Sequence, residues 1–452
     1  MGSKINFVSV VHWIRQGVAK QVPNKIELTK DDLKRIIDEH KQLMPTDDEQ
    51  NEEQMSLSED SDEENNGNEE DDEKRIVDKY DLENYDEDSE GELGANSLNA
   101  LASLTMFADN TEDPYIDNEV EYSDDGEAEN FEIKSTDNLV LVGHVESDAP
   151  VLEVYVYNEV DDHYPHHDII LPSYPICFES INYSSSSEQP VNYIGIGDMS
   201  KDITIWDIDT VNSLEPVTKL CGHNDTVLDL SWNVNIKKIL ASVSVDHSCC
   251  IWDLEKSELL TQYKHFKSNV QSVEFHPFEA QTLLVGDCNG MVSIGDFQSG
   301  AFKKWKVGIC EIEKVLWNHY NPYTFFCSTS NGFVYNYDVR NEKKHIYSIK
   351  AHEDSVTGLT LSRKCNGCLI TGSTDKIVKV WDIDDKSAKF ITQFSDLNVG
   401  SVLSISANPD LPFIIAVGGD NNKSENFKII DISKSKKVSS HFVSRMNKSS
   451  DK

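Results

Sequence analysis

The chain lacks any run of about 18 apolar residues, so nothing in it reads as a membrane-spanning helix. Residues 5–14 are apolar but short, and His12 interrupts them. No small-residue cleavage site follows, so no signal peptide is expected. Cysteine is sparse: nine in 452 residues, an odd number spread widely. That pattern fits a reducing compartment and not a disulfide framework. Hydrophobic residues make up only 38%, below ordinary globular usage, and 41 basic residues face 80 acidic ones. A net charge of −39 argues against a protein that wraps DNA over its whole surface.

The charge is concentrated in one segment. Residues 47–130 hold 33 acids and 3 bases, a net of −30, whereas residues 131–452 carry only −12. A segment so charged cannot bury enough apolar surface to offset its ordering entropy, so disorder is expected across 46–130. Residues 1–46 are slightly basic, and residues 131–452 are numerous enough to build a large core.

What the chain does have is a period. Trp206-Asp207, Trp252-Asp253 and Trp381-Asp382 each close a short β-branched run, as do the weaker copies Gly295-Asp296, Tyr337-Asp338, Ile430-Asp431 and Tyr157-Asn158. Their spacings are 49, 46, 43, 42, 44 and 49 residues. Within each unit, period-2 alternation is broken by turn residues into four short strands, which is one propeller blade. The fold class is therefore all-β, a seven-bladed WD40 β-propeller over 131–445 with a short tail at 446–452.

Two units match to the residue. His223, Ser244, Asp246 and Trp252 have the same spacing as His352, Ser373, Asp375 and Trp381. This resembles the WD-repeat tetrad, in which a loop His, a turn Asp, a strand hydroxyl and the Trp indole share hydrogen bonds. A buried indole N–H and a buried imidazole both need partners. The Ser, His and Asp recur with the repeat and lack a nucleophile elbow, so they read as structural and not catalytic. Cys365-Asn366-Gly367-Cys368 reads as a hairpin turn, not half of a zinc site, because no second pair matches it. His163, His166 and His167 cluster, but Gly195-Ile196-Gly197 does not extend to a phosphate loop. No enzyme activity, cofactor, metal or small-molecule substrate is expected.

Residues 1–45 form a strand–helix docking module: the strand alternates over 5–14 and is placed to help close the ring, and a helix follows over 28–44, capped by Thr29 and ended by Pro45. Within the acidic region, Ser56 and Ser61 precede acids as candidate phosphorylation sites, and residues 97–108, SLNALASLTMFA, make an apolar island suited to folding on binding. In the propeller, the loops on one face collect acids, among them Asp198, Asp225, Asp246, Asp287, Glu353 and Asp396. The loops on the other collect Lys237, Lys238, Lys303, Lys304, Arg340, Lys343, Lys344, Arg363 and Lys364. The second face is the candidate surface for RNA phosphate or an acidic partner.

Stretches outside the generic repeat carry a closer resemblance. They include VHWIRQGVAKQVPNKIELTKDDLKRII (11–37), YDLENYDED (80–88), STDNLVLVGHVESDAPVLEVYVYNE (135–159), HHDIILPSYP (166–175) and SVEFHPFEAQTL (272–283). These resemble the periodic tryptophan protein 1 family across nearly the whole chain. The resemblance implies a non-enzymatic scaffold of the nucleus and nucleolus, acting in ribosome biogenesis with pre-ribosomal assembly proteins and precursor rRNA. It also implies a second reading, a chromatin regulator of ribosomal DNA transcription. The acidic segment suits histones or ribosomal proteins as further partners.

Overall fold

A computed structural model describes residues 5–26, 131–158, 162–184, 191–341, 344–421 and 426–446. The expected helix at 28–44, the acidic tract, the island at 97–108, Ser56, Ser61 and Lys343 lie outside the described residues. Seven antiparallel sheets of the same kind recur along the chain. Strands within each are called a to d, from the innermost outward. Blade 3 is typical: a is Val227–Trp232, b Ile239–Ser244, c Cys249–Asp253 and d Glu258–Tyr263. Strand b is buried on both faces between neighbouring blades, which is why ILASVS carries no charge, while ELLTQY at the rim is largely exposed. Each of the seven signature positions falls in a c strand.

The aspartate of the signature has a local job. Asp253 Oδ1 accepts the Glu255 amide at 2.9 Å, and Asp207, Asp296, Asp338 and Asp431 accept the amide two residues on in the same way. Each is an Asx turn that starts the return of the chain. Between blades, strand b of one approaches strand a of the next so closely that a side chain would not fit. A Cβ at Gly286 would sit 2.6 Å from Ile312 Cγ2, and one at Gly372 2.2 Å from Ile405 Cδ1.

The ring is closed from the N-terminus. Strand Asn6–Ile14 pairs with Asn138–Glu146 and is the innermost strand of blade 1, with Val8, Val11 and Trp13 buried against blade 7. Residues 5–26 are thus part of the ring, with the strand in the ring-closing place expected for it, while the boundary at 45 lies outside the described residues. The segment after this strand runs on to pair Asn24–Lys25 in parallel with Thr210–Val211 of blade 2. Blade 7 has three strands, Val402–Ala407, Ile414–Gly419 and Phe427–Asp431.

A helix that sequence patterning does not disclose, Lys436–Met446, follows blade 7. It buries Val438 and Phe442 fully against Cys365, Cys368, Phe413 and Ile432. Its Arg445 forks onto Asp382, with Nη1 2.6 Å from Oδ1 and Nη2 2.9 Å from Oδ2, and His441 Nε2 lies 2.6 Å from the same carboxylate. The helix therefore clamps the signature aspartate of blade 6. Phe442→Ala removes a whole buried ring and should cost about 3–5 kcal/mol. Urea unfolding followed by circular dichroism should show the loss; a change below about 1 kcal/mol would mean that the helix does not hold the last two blades.

Candidate interaction faces and the channel

The two regular blades contain the expected network with one substitution of parts. His223 Nδ1 lies 3.1 Å from Asp246 Oδ2, His223 Nε2 lies 2.7 Å from Ser242 Oγ, and Trp252 Nε1 donates to Ser242 Oγ at 2.8 Å. In blade 6 the distances are 2.9 Å from His352 Nδ1 to Asp375 Oδ2, 2.8 Å from His352 Nε2 to Thr371 Oγ1 and 3.0 Å from Trp381 Nε1 to Thr371 Oγ1. The shared hydroxyls are thus Ser242 and Thr371, not Ser244 and Ser373. Strand alternation puts residues 242 and 244 on one face, so spacing alone could not choose between them. Register chooses: Ser242 pairs with Cys250, diagonal to the indole, whereas Ser244 sits at the strand end. There Ser244 Oγ donates to Asp225 O and accepts the Asp246 amide, and Ser373 Oγ likewise accepts the Asp375 amide.

Ser242, His223 and Asp246 stand in line at distances a hydrolase would use, but the set is sealed. Ser242 is fully buried and its oxygen already takes the indole N–H. Burial lowers the proton affinity of both histidines, and the facing aspartates offset this only in part. No substrate atom can reach the hydroxyl, so its role is to satisfy two buried ring nitrogens. Ser242→Ala strands both, at about 1–3 kcal/mol each. Its urea midpoint should fall well below that of Ser244→Ala, and equal midpoints would reject this assignment.

Blades without the histidine use other means. Trp206 Nε1 donates to Thr204 Oγ1 at 3.1 Å. Tyr337 stacks on Phe325 with centroids 5.4 Å apart, and Phe302 covers the place beside Gly295 where an indole would be. Cys365 and Cys368 are free thiols either side of a turn in which Gly367 has φ +85°. His166 Nδ1 lies 2.8 Å from His167 Nδ1, and its Nε2 lies 3.1 Å from Phe131 O. Among the described residues no group of three His, Cys, Asp or Glu side chains is placed to hold a metal, and no helix is long and apolar enough to cross a membrane.

The charged residues sort as follows. Asp198, Asp225, Asp246, Asp287, Glu353 and Asp396 lie at the d–a and b–c end of the blades. Lys237, Lys238, Arg363 and Lys364 lie in a–b turns and Arg340 and Lys344 in a c–d turn, at the opposite end. Lys303 and Lys304 do not join them. The turn at 298–300 closes early, with Gly300 at φ +69°, and both lysines fall within strand d of blade 4, Ala301–Lys306, on the rim. Of the rest, Lys238 lies 3.5 Å from Glu255 Oε2, and Arg340 is bound to Asp338 at 2.6 Å and stacked 4.3 Å over Tyr323. Exposed apolar tips share this a–b face: Val234 is 54% exposed, Phe278 58% and Tyr323 46%.

Sequence reasoning did not single out the channel. Glu179, Asp229 and Glu274 lie on the a strands of blades 2 (Pro175–Ile181), 3 and 4 (Val270–Phe275), each accepting a backbone amide of the next blade: Trp232 at 2.9 Å, Val273 at 3.0 Å and Trp317 at 2.5 Å. Lys314 of blade 5 reaches back to Asp229 at 2.9 Å. Burial works against the Lys314 charge, but the Asp229 carboxylate outweighs it and holds the ammonium above its usual range. Burial lifts Glu179 to about 7 and Glu274 to about 8, and presses His12, 2.6 Å from Ser180 Oγ, down to about 4. The available signal was one acid within each of these a strands, as in PICFESI, VLDLSW and VQSVEF.

Comparison with known proteins agrees with this architecture. Residues 214–253 and 343–382 match the family described as WD domain, G-beta repeat, and these are the segments of the two regular blades. The chain is 35% identical over 438 residues to the periodic tryptophan protein 1 homolog of Drosophila melanogaster, covering 92% of each. It is 27% identical to periodic tryptophan protein 1 of Saccharomyces cerevisiae, covering 97% of this chain and 90% of the relative. An uncharacterized WD repeat-containing protein of Schizosaccharomyces pombe matches at 28% over 73% of this chain and 69% of its own. A likeness of 35% over 92% of both chains reaches well beyond the two segments that match the repeat, and the chain belongs to the periodic tryptophan protein 1 family.

Proposed function

We propose that this protein is a non-enzymatic scaffold of ribosome biogenesis in the nucleus and nucleolus, serving precursor rRNA processing and assembly of the large subunit. The observation that carries the reading is the match to the family over 92% of the chain. The architecture suits it: a rigid ring offers two faces of different charge, and its buried hydroxyl–His–Asp sets, on Ser242 and Thr371, are sealed by indoles. The partners are pre-ribosomal assembly proteins and precursor rRNA, with the a–b face meeting phosphate.

Co-purification with precursor rRNA, with and without nuclease, tests it. Charge reversal at Lys237, Lys344, Arg363 and Lys364 should weaken that association and flatten its salt dependence, since each lost phosphate contact reduces the slope. An unchanged slope would remove RNA from this face.

A second reading has its own observation: a net of −30 over residues 47–130 in addition to an acidic d–a face. These suit capture of histones or ribosomal proteins, with Ser56 and Ser61 as sites where phosphate would deepen the field. Deleting residues 47–92 should lower capture of purified core histones while the circular dichroism of the propeller is kept. Enrichment of histones in place of pre-ribosomal particles would make this the primary function.

A further inference from the structure

The a–b mouth of the channel has an unbalanced arc of charge. From blade 6 through blade 7 to blade 1, successive turns present Arg363 and Lys364, then Asp410, then Arg15. The backbone of each turn is pinned by its neighbours. Ser362 O accepts from Tyr320 OH at 3.0 Å and lies 3.2 Å from His319 Nε2, and Ser362 Oγ donates to Pro412 O at 2.7 Å. The Gln16 amide donates to Asp410 Oδ2 at 2.9 Å. These bonds place Arg363 and Arg15 without using either guanidinium. Among the described residues, neither guanidinium has a hydrogen-bond or ion-pair partner.

The acid between them is already engaged. Asp410 Oδ2 takes both the Gln16 amide and Asn138 Nδ2, the latter at 2.9 Å. The channel acids below are also occupied, each giving an oxygen to the next blade. Protein surrounds Arg363 while its side chain still meets water. Burial, then the Arg15 charge, press its proton affinity down, and Glu274, Glu179 and Asp410 pull the other way without contact. The turns that carry Arg15 and Arg363 are both tied to the turn at 408–412, through Gln16 and Ser362, so three exposed cations flank one carboxylate on this arc and leave charge that a ligand can satisfy. Planar N–H forks suit a tetrahedral oxyanion, and a lysine ammonium adds a point charge.

We propose that Arg15, Arg363 and Lys364 form an oxyanion site at the a–b mouth of the channel, and that its ligand is a phosphate group. The group comes either from the backbone of an RNA strand or from a free polyphosphate. The site deepens the reading in which the a–b face meets phosphate, and rests on it.

Calorimetry of the full-length chain with inorganic tripolyphosphate tests it directly. The wild type should bind at one site per chain. The double variant Arg15→Gln/Arg363→Gln should bind roughly tenfold or more weakly, the scale of a lost charge-assisted contact. Arg363→Lys, which keeps the charge, should retain most of the affinity, and circular dichroism should show every variant folded. A short single-stranded RNA that competes with tripolyphosphate identifies the phosphodiester as the source, and one that does not identifies a free polyanion. Two results overturn the site: no binding by the wild type, or equal binding by the double variant while Lys237→Gln/Lys238→Gln loses it. Loss of precursor rRNA co-purification with tripolyphosphate binding intact would count against the scaffold reading and leave the site standing.

Discussion

Each blade of this ring ends, on its inner side, in a strand with one unpaired edge, and the structure depends on how those edges are satisfied. Buried amides need acceptors. Here side chains of one blade supply them to the next. Ser404 accepts the Val11 amide at 3.2 Å, Ser231 accepts that of Phe275 at 3.0 Å and Ser272 that of Val315 at 3.1 Å, while Glu179 serves the junction of blades 2 and 3, and Asp229 and Glu274 add second bonds at the junctions of Ser231 and Ser272. Thr357 Oγ1 donating to Val402 O and Ser355 Oγ donating to Glu313 Oε1 link the remaining blades on that side. The ring is thus joined by polar bonds at its centre and apolar packing farther out. That is why a channel wall carries acids and a lysine that an ordinary core would reject.

Closure and surface chemistry follow from the same layout. A first strand drawn from the N-terminus lets blade 1 receive a bond from blade 7 and give one to blade 2 through Ser9 Oγ and Pro175 O, 2.6 Å apart. The terminal helix holds the other side of that seam, burying Phe442 and binding Asp382. Because the turns are fixed by these belts, the charged residues they carry are held in place and not merely displayed. Arg363 and Arg15 are the outcome: cations carried on turns that are tied to one neighbouring turn, that of Asp410.

Much of the fold was legible from residues. The period of the Trp-Asp pairs located every c strand, and the alternation in INFVSVVHW marked a strand ahead of the repeats. The His, Asp and Trp of the two regular blades stood out by equal spacing. The hydroxyl that joins them did not, since residues two apart share a strand face and only register separates Ser242 from Ser244. Lys303 and Lys304 were misplaced for a similar reason: the point at which a turn ends depends on one backbone angle at Gly300. The helix at 436–446, KKVSSHFVSRM, was not legible at all, because two buried residues among polar ones make too thin a stripe.

By itself the sequence determined the quantities that are local along the chain. These are the repeat period, the strand order within a blade, and the gathering of −30 of the −39 net charge into one segment. Alternation, turn chemistry and charge density act over a few residues, so they are written there. Tertiary structure alone decided which side chains meet around the ring. Val11 bonds Ser404 across 393 positions, and Asn138 bonds Asp410 across 272. Such pairs exist only once seven similar blades have closed at one angle, and nothing in the neighbourhood of either residue encodes the other.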